Sequence, residues 1–282
     1  LADIFREAAR LNGDDARRRG NVVELAPGRE VLVAGDLHGH GRNLERIIAY
    51  ADLGENPRRR LILQEIVHGP PDEQTGRDRS VDVLLRAARL KIAHPEGVIF
   101  LLGNHDVAQA TGSEIAKAGR GVCRSFVEGT EHAVGSQDAP DVLNALSSFL
   151  LSVPLAARTP GGVLICHSLP SPRRMALAGK DIPDGPYDPQ ALRRGGRVYE
   201  WIWGRGQTPQ QIDRLAQHLG VTFFVLGHRP VGAGYEAIGP RAVILTAEHD
   251  QGYILQFSSD AALSRQDLPV CLKRIAALAD SS

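Results

Sequence analysis

The sequence predicts an α/β fold. Short apolar runs of strand length alternate along the chain with stretches whose apolar residues recur at i, i+3, i+4 and i+7, the helical period. Five of those apolar runs hand over, at their C-terminal ends, to a residue able to hold a metal ion. In open α/β sheets ligands gather outside the carboxyl ends of the strands, so five such ends can line one crevice.

The chain has 282 residues, enough for one large or two modest domains with a full core. Lys plus Arg and Asp plus Glu number 33 each, so no charge excess points to nucleic acid or a membrane surface. Arg is dense only at 17–19 and 58–60, short runs that read as solvated surface. No apolar run reaches the roughly 20 residues of a membrane helix, and the start shows no signal-peptide pattern. Cys123, Cys166 and Cys271 are widely spaced, which argues against a disulfide framework and for a reducing compartment. A cytoplasmic location is the resulting expectation.

Residues 1–20 read as a short polar helix, an N-terminal appendage, with Ile4, Phe5 and Ala8 at helical spacing. An edge strand is expected at 22–25, then a Pro27-Gly28 turn and the run at 31–34. That run ends in Gly35-Asp36-Leu37-His38-Gly39. Asp36 and His38 fall two residues apart, on the same side of an extended segment. Leu44, Ile47 and Ile48 share a face of the next helix. The second run, Leu61-Ile62-Leu63, delivers Gln64-Glu65. Residues 69–80 are rich in Pro, Gly and charge and read as a loop, with Ser80 capping a helix marked by Val81, Leu84, Leu85 and Ala88. The third run, 98–102, ends in Gly103-Asn104-His105-Asp106.

Residues 107–140 are polar and Gly-interrupted, with weak helical character. An amphipathic helix follows, marked by Val142, Ala145, Leu146, Phe149 and Leu150. The fourth run, 163–166, ends at His167. Pro, Gly and charge dominate 170–197, the composition of a long loop or lid, and loops of that length are often functional. Ile212, Leu215, Ala216 and Leu219 mark a helix leading into the fifth run, 221–226, which ends in Gly227-His228. The runs at 242–246 and 253–257 read as a closing hairpin, and 261–282 as a C-terminal tail or helix. No repeat, low-complexity tract or internal boundary divides residues 21–260, which read as one domain.

Asp36, His38, Glu65, Asn104, His167 and His228 bring two carboxylates, three imidazoles and an amide oxygen. That donor set suits Mn, Fe or Zn better than Mg or Ca alone. Six ligands exceed what one ion takes while still holding water, so the set fits two ions bridged by a carboxylate. Each residue has a structural reading as well. A lone His after a strand is commonly a hydrogen-bonded core residue, Asn104 a turn residue tolerating left-handed backbone, and Glu65 a surface carboxylate. Coincidence at five strand ends weighs against those readings. Cys166, beside His167, reads as a buried strand residue and not a nucleophile.

Gly35-Asp36-Leu37-His38-Gly39, Gly103-Asn104-His105-Asp106, His167 and Gly227-His228 together resemble the motifs of the calcineurin-like metallophosphoesterase superfamily. Within it the chain is most similar to the phosphoprotein phosphatase (Ser/Thr phosphatase-like) family. That likeness is carried by Lys91-Ile92-Ala93-His94-Pro95-Glu96 before the Gly-Asn-His motif and by Tyr199-Glu200-Trp201-Ile202-Trp203, and it covers roughly residues 22–257. The resemblance implies a four-layer α-β-β-α sandwich of two mixed sheets with a dinuclear metal centre at one edge. By motif position Asp36 and His38 would hold the first ion, Asn104, His167 and His228 the second, and Glu65 would bridge them.

One stretch departs from the family. Where the family has Gly-Asp-x-Val-Asp-Arg-Gly, this chain has Gln64-Glu65-Ile66-Val67-His68-Gly69. The bridging carboxylate is one methylene longer, His68 replaces the Asp that orients the catalytic His, and Gly69 replaces a phosphate-binding Arg. Arg77, Arg79, Arg205 or Arg229 could supply that contact instead. Pro230 stands two residues after His228, so the second His of many metallophosphoesterases is absent, as in the protein-phosphatase branch.

For function the resemblance implies a metal-dependent phosphatase acting on phosphomonoesters, in a phosphoprotein or a small phosphoester. Two divalent ions (Mn, Fe or Zn) would share an attacking hydroxide. His105 would be the general acid for the leaving alkoxide, Asp106 would orient it, and Arg205 would meet the substrate phosphate. No nucleic-acid or membrane partner is expected. Hydrolysis of nucleotide or dinucleoside polyphosphates is one alternative, with residues 170–197 deciding between them. A degenerate member that binds metal without turnover is the other, motivated by the altered bridging stretch.

Overall fold

The computed structural model of the chain describes residues 1–117, 119–175 and 181–280. Among these the strands are β1 (Arg18–Arg19), β2 (Val22–Glu24), β3 (Glu30–Asp36), β4 (Arg59–Gln64), β5 (Val98–Leu101), β6 (Ala116–Lys117), β7 (Arg120–Gly121), β8 (Ala156–Arg158), β9 (Val163–Cys166), β10 (Phe223–Leu226), β11 (Tyr235–Ile238), β12 (Ala242–Leu245), β13 (Tyr253–Ser258) and β14 (Leu272–Arg274). Five form one sheet in the order β14-β13-β3-β4-β5, and seven form another in the order β1-β2-β8-β9-β10-β12-β11. Both are mixed. β3, β4 and β5 run parallel while β13 and β14 are antiparallel; β9, β10 and β12 run parallel while β11 is antiparallel to β12.

Period-two alternation along the strands sets the layers. In β3, Val31 and Val33 enter the cluster between the two sheets, whereas Leu32 and Ala34 enter the cluster under the helices. In β10, Phe223 and Val225 face the other sheet, and Phe224 and Leu226 face outward. Helices α1 (Ala2–Gly13), α2 (Gly41–Ala51), α3 (Ser80–Ala93), α4 (Asn104–Thr111), α5 (Val122–Val134) and α6 (Ala139–Leu150) cover the five-stranded sheet. After α7 (Pro189–Leu192), Trp201 of α8 (Arg197–Trp203) and the apolar face of α9 (Pro209–Leu219) cover the seven-stranded one. The result is the four-layer sandwich that the resemblance implied. Cys123, Cys166 and Cys271 are free, and among the described residues no helix is long and apolar enough to cross a membrane.

Several local expectations are corrected. The strands at 242–246 and 253–257 form no hairpin: β12 pairs with β10 and β11 in one sheet, and β13 pairs with β3 in the other. The charged connection through Glu248, His249 and Asp250 carries the chain across. The 22–25 strand is not at the edge, because β1 pairs outside it. Ser80 does not cap α3; it is the first helical residue, and Asp78 accepts its N–H at 2.8 Å. Residues 107–140 hold most of α4 and all of α5. Arg60 is buried, its guanidinium donating to the carbonyls of Pro57 and Arg59.

The N-terminal helix is no appendage. Phe5 and Ala8 are fully buried, and the Phe5 ring lies 5.9 Å from that of Phe149, which stands edge-on to Phe100. At the other terminus, β14 extends the five-stranded sheet, and Ile275 and Leu278 join the helical core; residues 281–282 of the expected tail lie outside the described residues. So do residues 176–180 of the expected loop or lid. Its described part is tied down: Asn21 Nδ2 donates to the carbonyls of Pro183 and Gly185, and the Tyr187 hydroxyl donates to that of Val153.

The two sheets meet where β3 ends. A Cβ at Gly35 would fall 2.1 Å from the Leu245 carbonyl oxygen, so only glycine permits the approach. Asp36 then bridges to Thr246, and its carbonyl accepts the Ala247 N–H at 2.9 Å. The ends of β3, β4, β5, β9 and β10 all open onto this seam.

Truncation at the aromatic contact of α1 tests its place in the core. Phe5→Ala is expected to lower unfolding free energy by roughly 3–5 kcal/mol, read from denaturant titration; a change under about 1 kcal/mol would mean that α1 docks without stabilising the domain.

Candidate metal centre

Three of the six candidate ligands, His38, Glu65 and His228, leave their strand ends in left-handed backbone. Among the described residues five non-glycine residues have positive φ, and four of them are His38 (39°), Glu65 (35°), His68 (63°) and His228 (69°). Such conformations cost of order 1–3 kcal/mol each and persist where the surroundings over-determine them. Here the surroundings are backbone hydrogen bonds between neighbouring strand ends. The Glu65 carbonyl accepts the His38 N–H at 2.8 Å, and the Ile66 carbonyl accepts that of Gly39 at 2.8 Å.

The side chains of these strand ends converge at the seam. His167 Nε2 lies 3.0 Å from Asn104 Oδ1, 3.2 Å from His228 Nδ1 and 3.3 Å from Glu65 Oε1. His38 Nε2 lies 3.6 Å from the other Glu65 oxygen. His38 Nδ1 is 3.0 Å from the Val67 carbonyl, so it carries the proton and leaves Nε2 as the donor atom toward Glu65, the orientation metal-binding imidazoles use. Asp36 Oδ2 accepts the His228 N–H at 2.7 Å. Its Oδ1 lies 3.5 Å from His167 Nδ1, and neither of these buried atoms has a hydrogen-bond partner. Two orphaned buried atoms in a cluster of carboxylate, imidazole and amide donors fit a cation.

Glu65 reaches its place because residue 103 is glycine. A Cβ there would fall 2.2 Å from Glu65 Cγ and 2.3 Å from Oε1. The extra methylene is laid across the bare Gly103 backbone, and Oε1 also accepts the His105 N–H at 2.6 Å.

Electrostatics follow from burial. Burial pushes the Asp36 carboxyl up, but His167, with a smaller contribution from His38, holds it below the usual carboxylate range. Burial, with His167 and Arg205, pushes His228 down to about 2, so this imidazole is neutral. Burial pushes Asp106 up to about 7; the Gly103 N–H lowers it and the Asp36 charge adds to the rise. Burial likewise raises the Cys166 thiol, which fits a structural residue.

Two expected roles shift. Asp106 does not orient His105; its Oδ2 accepts the Gly103 N–H at 2.9 Å and closes the start of α4. A carboxylate at the third helical position reaches back to the preceding backbone more readily than sideways to a neighbour. His68 takes the orienting position, its Nδ1 2.8 Å from His105 Nδ1 and its Nε2 2.9 Å from Gln109 Oε1. Of the candidate arginines, Arg205 reaches the cluster, its Nε donating to His228 Nε2 at 2.9 Å. Arg79 pairs with Asp82, Arg229 with Glu236, and Arg77 reaches the Glu128 carbonyl.

Beside His38 and His68 opens a cavity of about 390 Å³, walled by Pro70, Pro71 and Val122 and carrying Asp78, Glu248 and Arg120. No sequence signal singled out Gln109 or Arg120. Gln109 could have been found, because it lies four residues after His105 and so one helical turn along the same face.

A two-sheet sandwich with a cluster of carboxylates and imidazoles at the seam of its sheets defines a metallophosphoesterase, a hydrolase of phosphoesters. The chain belongs to the calcineurin-like phosphoesterase family, whose model matches residues 30–258. Among solved structures it resembles a protein serine/threonine phosphatase from Saccharomyces cerevisiae with similarity to human phosphatase PP5. That likeness has a TM-score of 0.62 and 16% identity, over 90% of this chain and 81% of that one. It also resembles the cold-active protein-tyrosine phosphatase of a psychrophilic Shewanella species, with a TM-score of 0.59 and 14% identity over 89% and 80% of the two chains. At these identities the likeness speaks for the fold. No curated protein sequence matches the chain.

Replacing the glycine under Glu65 tests the bridge. Gly103→Ala is expected to weaken Mn²⁺ or Zn²⁺ binding by about tenfold or more, with an unchanged far-UV spectrum, read by metal titration and elemental analysis. Native stoichiometry and affinity in that variant would show that Glu65 need not lie where it does.

Proposed function

We propose that the protein is a metal-dependent phosphomonoesterase that uses a dinuclear centre. The observation that supports this reading best is the meeting of Asn104, His228 and Glu65 donor atoms around His167 Nε2 within 3.3 Å, next to the partnerless Asp36 Oδ1. Asp36, His38 and Glu65 would hold one ion, and Glu65, Asn104, His167 and His228 the other. When bound, two divalent ions would neutralise phosphate oxygens and acidify water, the services phosphoryl transfer needs.

The chain's own residues do the rest. Glu65 offers one oxygen toward His38 and the other toward His167, which suits a bridge between two positions. His105, anchored by its N–H on Glu65 Oε1, gives its ring proton to the leaving oxygen. Arg205 is the phosphate-binding cation. It now donates to His228 Nε2, which puts the His228 proton on Nδ1. From that position beside the cluster Arg205 would meet a substrate phosphate oxygen.

The cavity beside His38 favours a monoester over a polyphosphate. Pro70, Pro71 and Val122 give it apolar walls, which suit an aryl or peptide leaving group better than the charges of a polyphosphate.

The direct test is phosphate release from phenyl phosphate with and without Mn²⁺. Turnover is expected to need the metal, to vanish with a chelator, and to fall by about 10²-fold or more in His105→Ala. Asp36→Asn is expected to lose turnover and bound metal together. Faster turnover of diadenosine tetraphosphate would replace this reading with the polyphosphate one, and two bound ions without any turnover would replace it with a binding role.

A further inference from the structure

We propose that Gln109 is a positioning residue: through His68 it fixes the ring proton of His105 on Nδ1, so that Nε2 is the nitrogen that serves the leaving group. The inference rests on the phosphomonoesterase reading for the identity of the proton's acceptor, and on geometry alone for the proton's place.

Two hydrogen bonds set the proton's place. An amide oxygen only accepts, so the 2.9 Å contact from Gln109 Oε1 to His68 Nε2 places a proton on that nitrogen. The neutral His68 ring then has a lone pair at Nδ1. The two Nδ1 atoms of His68 and His105 stand 2.8 Å apart, a distance that needs one proton between them. It must belong to His105. The proton order is therefore set from the amide inward, and His105 exchanges protons through Nε2.

The surroundings hold the relay in this order. Gln109 and His68 are both buried, and His68 is kept in a left-handed backbone with its ring against the fully buried Phe126. Gln109 lies one turn after His105 on α4, so one rigid helix carries both ends of the relay. A carboxylate at position 68 would orient His105 as well, but it would add a charge beside Asp36, Glu65 and Asp106, all buried. An imidazole backed by an amide gives direction without that charge, which low dielectric makes costly.

In the step served, the oxygen of water bonds to phosphorus as the bond to the leaving oxygen breaks. The electron pair of that bond stays on the leaving oxygen, which takes the Nε2 proton of the His105 imidazolium. The ring returns to its neutral Nδ1–H form, the water's proton goes to solvent, and His105 regains one from solvent. The sum is phosphomonoester plus water to alcohol plus phosphate.

The test compares two aryl phosphates of similar size. Phenyl phosphate expels a phenolate of pKa about 10 and needs a proton; p-nitrophenyl phosphate expels a far more stable anion and needs it much less. Gln109→Leu is expected to lower kcat on phenyl phosphate at least about tenfold more than on p-nitrophenyl phosphate, with KM little changed, since general-acid catalysis supplies roughly 10²–10⁴-fold. Gln109→Glu keeps an acceptor oxygen at that place and is expected to restore the native ratio of the two rates. Equal loss on both substrates, or no loss on either, overturns the proposal. A second measurement needs no variant and no turnover. Long-range ¹⁵N–¹H spectra of ring-labelled protein report each tautomer, and His105 as Nδ1–H with His68 as Nε2–H supports the relay. His105 as Nε2–H overturns it. If the native protein hydrolyses neither substrate, the phosphomonoesterase reading fails while the spectra still decide where the proton sits.

Discussion

The Asp36 carboxylate is the constraint on which the rest of the structure depends. It is buried at the end of β3, and its Oδ2 takes the backbone N–H of His228 from the opposite sheet at 2.7 Å. A buried charge is tolerable only where donors or cations surround it. Here the donors come from strand ends that the sandwich brings to one seam, His38 from its own sheet and His167 and His228 from the other. His167, with His38, outweighs burial and holds the Asp36 carboxyl below its usual range. The same contact that draws the sheets together thus fixes the charge that a cation would meet.

Holding the donors inward has an energetic cost that the core offsets. His38, Glu65, His68 and His228 all occupy left-handed backbone, and all lie within or beside the cluster. Outside the site the strands are regular and their alternation is clean, with Val31, Val33, Ile62, Phe223 and Val225 filling the space between the sheets. At the site the strain sits in the turns just past the strands, where it aims side chains.

Much of this was legible in the sequence, and the reasons are local. A strand that ends in Asp-x-His or Gly-Asn-His aims its residues by its own geometry, so Asp36, His38, Asn104, His167 and His228 could be placed without knowing the sheet order. What failed was long-range. Nothing in 242–257 says that β12 and β13 serve different sheets, because each strand has the same apolar character and only their partners differ. The polar face of α1 hid the burial of Phe5, and the glycines near α5 hid its helix, since Gly129 packs where a Cβ would meet the Asp78 carbonyl at 1.8 Å. Asp106 misled because adjacency to His105 in sequence is not adjacency in space: on a helix the neighbour that matters is Gln109, a turn away.

The bridging stretch, which looked degenerate in the sequence, is coherent in space. Its two departures from the family converge on one residue. Glu65, with its added methylene, crosses Gly103 and takes the backbone N–H of His105 on the oxygen that also faces His167. His68 takes the side chain of the same residue and ties it to Gln109. His105 is thus held at its backbone by one altered residue and at its ring by the other. The longer carboxylate binds the start of α4 to the cluster, while the neutral imidazole spares the site another buried charge next to Asp36, Glu65 and an Asp106 already pushed up to about 7 by burial. Loss of function without constraint would scatter such changes. A longer acid matched to a bare glycine, and a histidine matched to a glutamine one turn beyond its partner, are pairs of residues that make sense only together.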